Sequence, residues 1–293
     1  MAGMPGADFH RIAELADSLN DCVYTVDRDR RISAWNSAAE RVTGYTRQEV
    51  LGRRCHENIL CHCDLDGMAL CAGGCPLTTA IRDERSREDR IWLRHKLGYR
   101  MPVEVRTRPI RNAAGEIAGA LEVFREPAAT RREVMHTQRE CGCLDEVTGV
   151  PDRAYGEMRL GHRIEQLRRF GLPVGWVGVR LTGIEEHQSR YGPAVLSAAM
   201  TLIARTLEHN LGSLDILCRW SINEFRIAVH GAGRISLKEF ARLLVTLLGR
   251  SELEWWGDRI CAPAQAAAVA ACATDSIESI ELRLREALDS PSV

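Results

Sequence analysis

Five of the eleven cysteines, Cys55, Cys61, Cys63, Cys71 and Cys75, crowd into one stretch together with His56 and His62. Thiolate sulfur and imidazole nitrogen are the donors that tetrahedral zinc takes, and thiolates also hold iron–sulfur clusters. The spacing is not the paired C-x-x-C knuckle, so three readings stand open: a metal or cluster site, a thiol–disulfide sensor, and buried structural thiols. Simple core filling fits poorly, because buried free cysteines rarely cluster around turns such as Gly73-Gly74 and Asp64-x-Asp66. An odd cysteine count fits a reducing compartment better than a disulfide framework. Cys141 and Cys143 make a smaller pair farther on, read as incidental.

The elements around this stretch follow from periodicity. Residues 8–19 carry apolar side chains at helical spacing, an amphipathic lead-in helix. Residues 22–26 and 31–35 are strand candidates joined by the charged turn 27–30, hence a hairpin. Ser37 followed by Glu40 is a helix-start signal, and Gly44 ends that helix. Residues 76–82 suit a short helix with Pro76 at its start. Strand candidates follow at 90–96, 101–108 and 118–124, the last two separated by the turn 112–115. Two strands, short helices and three strands predict an antiparallel sheet with helices on one face.

Trp35-Asn-Ser-Ala-Ala-Glu-Arg-Val-Thr-Gly-Tyr45 followed by Glu49-Val-Leu-Gly52 resembles the PAS sensor family, over residues 8–126. That resemblance implies a five-stranded sheet whose helical flank encloses a ligand or cofactor cavity, and a dimer. The stretch 55–75 resembles a cysteine-bearing insertion of some PAS–GGDEF proteins, in which the recurring residues match Cys55, His62, Cys71 and Cys75. Three thiolates and one imidazole would suit Zn²⁺ or an iron–sulfur cluster. Cys61 and Cys63 are spare in that set and are candidates for redox-active neighbours. A flavin-adduct motif is missing, and residues 76–82 hold no histidine for a haem. Residues 127–143 are polar, and in PAS relays the corresponding stretch is a signalling linker helix.

Asp145-Glu-Val-Thr-Gly-Val-Pro-Asp-Arg153 resembles the opening segment of GGDEF-type domains, and the likeness runs over residues 144–293. It implies an α/β fold around a mostly antiparallel sheet, with a strand at 175–181, a long helix from Tyr191-Gly192 to His209 and a terminal helix at 277–288. In the frame of the signature Gly-Gly-Asp/Glu-Glu-Phe this chain has Ser221, Ile222, Asn223, Glu224 and Phe225. Only glycine reaches positive φ cheaply and leaves room for a phosphate against the backbone. The resemblance places Arg180 where a first metal-binding Asp stands and Asn223 where the signature acid stands. It places Gln188 and Ser197 at the guanine-reading positions, and it makes Asp145 and Arg219 a scaffold salt bridge. Upstream of the hairpin, Gly212-Ser-Leu-Asp215 lacks the arginine of the product-inhibition motif.

The expectation is an α+β chain: a PAS fold at 8–126 with a cysteine-rich insertion at 55–75, a linker helix at 127–143, and a degenerate GGDEF domain at 144–293. Its function would be signal transduction through a catalytically inactive output that acts by protein contacts. The alternatives are a diguanylate cyclase making cyclic-di-GMP from GTP with an atypical site, and a non-catalytic nucleotide receptor. With 39 basic and 40 acidic residues in 293 and no Lys/Arg block, nucleic acid and anionic membrane are not expected partners. No apolar run reaches about 18 residues and no signal peptide is apparent, so a cytoplasmic protein is expected; the PAS resemblance implies a homodimer, and the output partner is expected to be a protein.

Overall fold

The computed structural model describes residues 15–18, 20–127, 143–231 and 236–290. The chain divides into two compact units at residue 128. The lead-in helix at 8–19 and the linker at 127–143, with Cys141, fall largely outside the described residues.

The first unit is a five-stranded antiparallel sheet in the order β2-β1-β5-β4-β3. Its strands are β1 (Cys22–Asp27), β2 (Ile32–Trp35), β3 (Arg87–Arg94), β4 (Arg100–Arg111) and β5 (Ile117–Arg125). Three short helices sit between β2 and β3: α1 (Ser37–Thr43), α2 (Arg47–Val50) and α3 (Pro76–Asp83). The α1 cap is Asn36, not Ser37. Its Oδ1 accepts from Ala39 N and Val23 N at 2.9 Å, while its Nδ2 donates to Ala16 and Asp21 carbonyls. An amide bonds on both sides and so ties helix, strand and lead-in together, which a serine hydroxyl could not do. Gly44 closes α1 at φ 77. The core holds Tyr24, Trp35, Leu60, Leu77, Met101 and Phe124, all 1 % exposed or less. On β5, Gly119 faces β1 so closely that a Cβ there would run into the Val26 carbonyl.

The second unit has a four-stranded antiparallel sheet, β11-β6-β8-β7, and a separate hairpin, β9 with β10. In chain order its elements are α4 (Arg153–Phe170), β6 (Val174–Leu181), α5 (Glu185–Tyr191), α6 (Ala194–His209), β7 (Ile216–Ser221), β8 (Glu224–His230), α7 (Leu237–Gly249), β9 (Glu252–Trp255), β10 (Asp258–Cys261), β11 (Ala264–Ala270) and α8 (Ile277–Asp289). Asp152 caps α4 through Tyr155 N, and Gly171 ends it in the left-handed region. Leu160 and Ile164 of α4, Trp176 of β6, Cys218 and Trp220 of β7, and Ile280, Leu284 and Leu288 of α8 form one core cluster. Among the described residues no helix is long and apolar enough to cross a membrane.

Candidate functional site

The β7–β8 hairpin turns through Ile222 and Asn223, and neither has positive φ. The turn therefore does not use the conformational freedom that two glycines would supply. Ile222 is 71 % exposed, while Phe225 is buried under the Arg219 guanidinium, 5.5 Å from its ring centre. Asn223 pairs with β6, accepting from Leu181 N at 2.9 Å.

Strand register sets Arg180 of β6 directly opposite Glu224 of β8. The Arg180 Nε donates to Glu224 Oε1 at 2.5 Å, and its Nη1 to Asp289 Oδ1 at 2.7 Å. The same Glu224 accepts from Arg226 Nη2 at 3.0 Å. The Asp289 and Glu224 carboxylates hold the Arg180 guanidinium more firmly charged than usual. Glu224 is thus paired with two guanidinium groups. Arg226 is fully buried and is held by Glu281 of α8 through both Nε and Nη2, the closest contact being 2.7 Å. Trp176 donates its indole N–H to the same carboxylate at 3.0 Å. Gln188 lies half-buried on α5 and Ser197 is exposed on α6.

The expected Asp145–Arg219 salt bridge is not formed. Arg219 turns back on its own hairpin, donating to the Ser221 and Ile222 carbonyls. Asp145 instead accepts from Thr148 N and Oγ1 at 2.8 and 2.7 Å, shaping the opening turn. The two segments still adjoin, because Arg219 N donates to the Pro151 carbonyl at 2.7 Å. Each group makes its hydrogen bonds within its own turn, although Arg219 Nη1 is buried without a partner and Asp145 still acts on the guanidinium electrostatically. Asp215 is structural as well, accepting from Gly212 N and His230 N.

In the first unit the cysteine-rich segment is an ordered loop laid on the sheet. Cys63 exchanges two backbone hydrogen bonds with Trp92 of β3, Arg100 donates to the Cys61 carbonyl and Arg30 to the Cys71 carbonyl. Cys75 is the residue before α3. Cys55, Cys63 and Cys75 are buried, and Cys61 and Cys71 half-buried. Burial pushes the Cys55 thiol well up, with neighbouring Cys75 and Cys71 acting the same way, and burial with Cys75 and Cys61 pushes Cys71 up to about 11. The buried imidazole of His62 lies beside Glu122 of β5, with Nε2 3.8 Å from Oε1. Among the described residues no group of three or more His, Cys, Asp or Glu side chains stands in an arrangement that could hold a metal ion. Cys55, His62, Cys71 and Cys75 are therefore not gathered into one coordination sphere, although the three thiols lie within electrostatic reach of one another.

Glu122 is the residue that sequence reasoning missed here. It sits at the inward position of β5 between Ala120 and Phe124, and that alternation was its available signal. Burial raises its carboxyl to about 8, and burial with nearby Arg100 lowers His62 to about 3. The signs oppose each other. A carboxyl whose folded value lies above its ordinary 4.5 loses stability as pH rises from 4.5 to 8, whereas an imidazole lowered from 6.5 loses it as pH falls from 6.5 to 3. Between 4.5 and 6.5 the two slopes cancel. Metal-free protein is expected to lose stability in its first unit from pH 6.5 to 8, and Glu122→Gln to remove that loss. Thermal melts of both proteins across the range check this, and equal alkaline losses in the two would refute the assignment.

The chain matches a family model of the PAS fold over residues 16–132 and one of the diguanylate cyclase GGDEF domain over residues 143–281. None of the curated proteins compared matches it. Among solved structures it is similar to the FimX GGDEF domain from Pseudomonas aeruginosa, at 16 % identity and a TM-score of 0.46 over 50 % of this chain and 92 % of that one. It is similar to a sensory box/GGDEF family protein from Caulobacter crescentus, at 18 % identity and a TM-score of 0.47 over 50 % of this chain and 96 % of that one. Its first unit is similar to a PAS domain from Colwellia psychrerythraea, at 22 % identity and a TM-score of 0.34 over 40 % of this chain and 93 % of that one.

Proposed function

We propose, for a chain that is a PAS-fold domain followed by a GGDEF domain, that the first senses a signal and the second relays it by protein contact without making cyclic-di-GMP. The observation that carries this reading is the Arg180 guanidinium bound between Glu224 and Asp289. Phosphoryl transfer from GTP needs divalent cations, held by carboxylates, to offset charge on the phosphates. Here the retained acid already has two guanidinium partners, Asn223 brings no charge, and the turn presents Ile222 where a phosphate would need open backbone. The domain keeps a packed core and is read as a docking and dimerisation unit, so a homodimer with a further protein partner is the working assembly.

On the sensing side, the metal reading takes Zn²⁺ or an iron–sulfur cluster held by Cys55, His62, Cys71 and Cys75, and the thiol reading adds Cys61 and Cys63. The donor types fit zinc: soft sulfurs beside a neutral imidazole.

Purified protein given GTP with Mg²⁺ or Mn²⁺ is expected to form no more cyclic-di-GMP than its Asn223→Ala variant, as read by mass spectrometry. Product above that control would overturn the inactive reading and put an atypical cyclase in its place.

A further inference from the structure

Tyr24 of β1 and Thr107 of β4 are the direct cross-strand neighbours of Glu122 on β5. Residues opposite one another in antiparallel pairs share a face, so the three form one polar row across the middle of the sheet. All three are fully buried. The Thr107 hydroxyl and His62 Nε2 are buried without a hydrogen-bond partner, and the Tyr24 hydroxyl and the Glu122 carboxyl, which act on one another, make no contact close enough to satisfy either fully. An unmet buried polar atom costs about 1–3 kcal/mol, more for a charged one, so a concentration of them in one place marks a site that something else completes.

We propose that His62 and Glu122 are two ligands of one divalent metal ion, with the thiolates of Cys55 and Cys75 completing a tetrahedral set. This rests on the metal reading of the PAS domain and changes its donor set, Glu122 taking the place of Cys71. The ion then joins the cysteine-bearing loop to the sheet instead of lying within the loop.

Geometry favours the pair. Two donors each about 2.1 Å from a tetrahedral ion stand roughly 3.4 Å apart, and the His62–Glu122 separation is 3.8 Å. A shift of a few tenths of an ångström closes it. Cys55 and Cys75 are each 5 % exposed and act on one another and on Tyr24, the row's first member, whereas Cys71 is only half-buried. Cys55 also lies within electrostatic reach of Glu122. Their side chains must swing toward the pair, since no third donor is yet in place among the described residues. A bound cation supplies the missing reason for a buried carboxyl and two buried thiols to ionise together, because coordinated thiols lose their protons. Arg30 and Arg100 flank the set and offset its remaining negative charge. Glu122 lies three residues from the end of β5, the last strand before the chain leaves this domain. A ligand there couples the ion's presence to the strand that leads toward the second domain.

The test uses the full chain, purified without oxygen, stripped with a chelator, and titrated with Zn²⁺ and with Co²⁺. One ion per chain is expected, with X-ray absorption of the zinc-loaded protein showing two sulfur and two nitrogen or oxygen neighbours. Glu122→Gln should weaken binding about tenfold or more, and Cys71→Ser should leave it unchanged. Three sulfurs and one nitrogen, with binding lost in Cys71→Ser and kept in Glu122→Gln, would sink this donor set while leaving the metal reading intact. No uptake of either ion would sink both. Circular dichroism of each variant separates unfolding from ligand loss, and the absorption measurement on the unsubstituted chain decides the donor set without any variant.

Discussion

Replacing Glu281 by alanine is expected to cost the GGDEF domain about 3–5 kcal/mol, because it strips the bidentate partner from a guanidinium that has no route to water. Arg226 is 0 % exposed and Glu281 8 % exposed at the side chain. The loss reaches further than one pair: Trp176 would lose its indole acceptor and Arg285 its partner on α8. Burial alone would raise the Glu281 carboxyl, but Arg226 and Trp176 together bring it below its ordinary 4.5. The stability this pair supplies is thus present above pH 4.5 and declines as pH falls below it. Urea unfolding at pH 7 measures the effect, and a loss below about 1 kcal/mol would mean that Glu224 alone suffices for Arg226. The double change Arg226→Met with Glu281→Leu should be far milder than Glu281→Ala, since removing both charges leaves none stranded.

Gly119→Ala is the second large effect expected, about 3 kcal/mol in the PAS domain, at the upper end of overpacking costs. Most tight glycines press on side chains that can give way. At Gly119 the obstacle is the Val26 backbone itself, in the β1–β5 ladder. Parting those strands also moves Glu122 away from Tyr24, so the variant should bind the proposed metal ion more weakly even where it remains folded. Gly73→Ala is the comparator: a Cβ there meets nothing within 4 Å, and it should change the melting temperature little. Equal melting temperatures for the two variants would count against the tight β1–β5 approach.

Most of the PAS sheet was legible. Strand alternation marked β4 and β5 and the turn between them, and the glycine at 44 marked the end of α1, because these features depend on neighbours in sequence. Asn36 and Glu122 were not found, since their partners come from residues far along the chain. A side chain that bonds both ahead and behind, as Asn36 does, leaves the same trace as an ordinary loop asparagine. In the second domain the place of the β7–β8 hairpin was legible, yet the Asp145 and Arg219 side chains make no salt bridge. The resemblance located both residues but could not show that Asp145 bonds to Thr148 and Arg219 to its own hairpin. The elements α4 and β9 to β11 went unassigned, and so did α7, although its Ser236–Glu239 capping box and its apolar stripe Ala241, Leu244, Leu247 and Leu248 were there to be read. Arg226 was missed because, on a strand buried on both faces, alternation no longer tells which residue faces its partner.

The Arg180 link has a consequence for how this protein responds to its surroundings. A carboxylate cluster that waits for magnesium changes its charge, and with it its shape, as ion and nucleotide supplies rise and fall. A guanidinium fixed by covalent chain to β6 cannot be diluted, chelated or hydrolysed. On the proposed reading, the face built around Glu224 and Asp289 keeps its charge arrangement whatever the supply of ions and nucleotides, and the PAS domain is the input that varies.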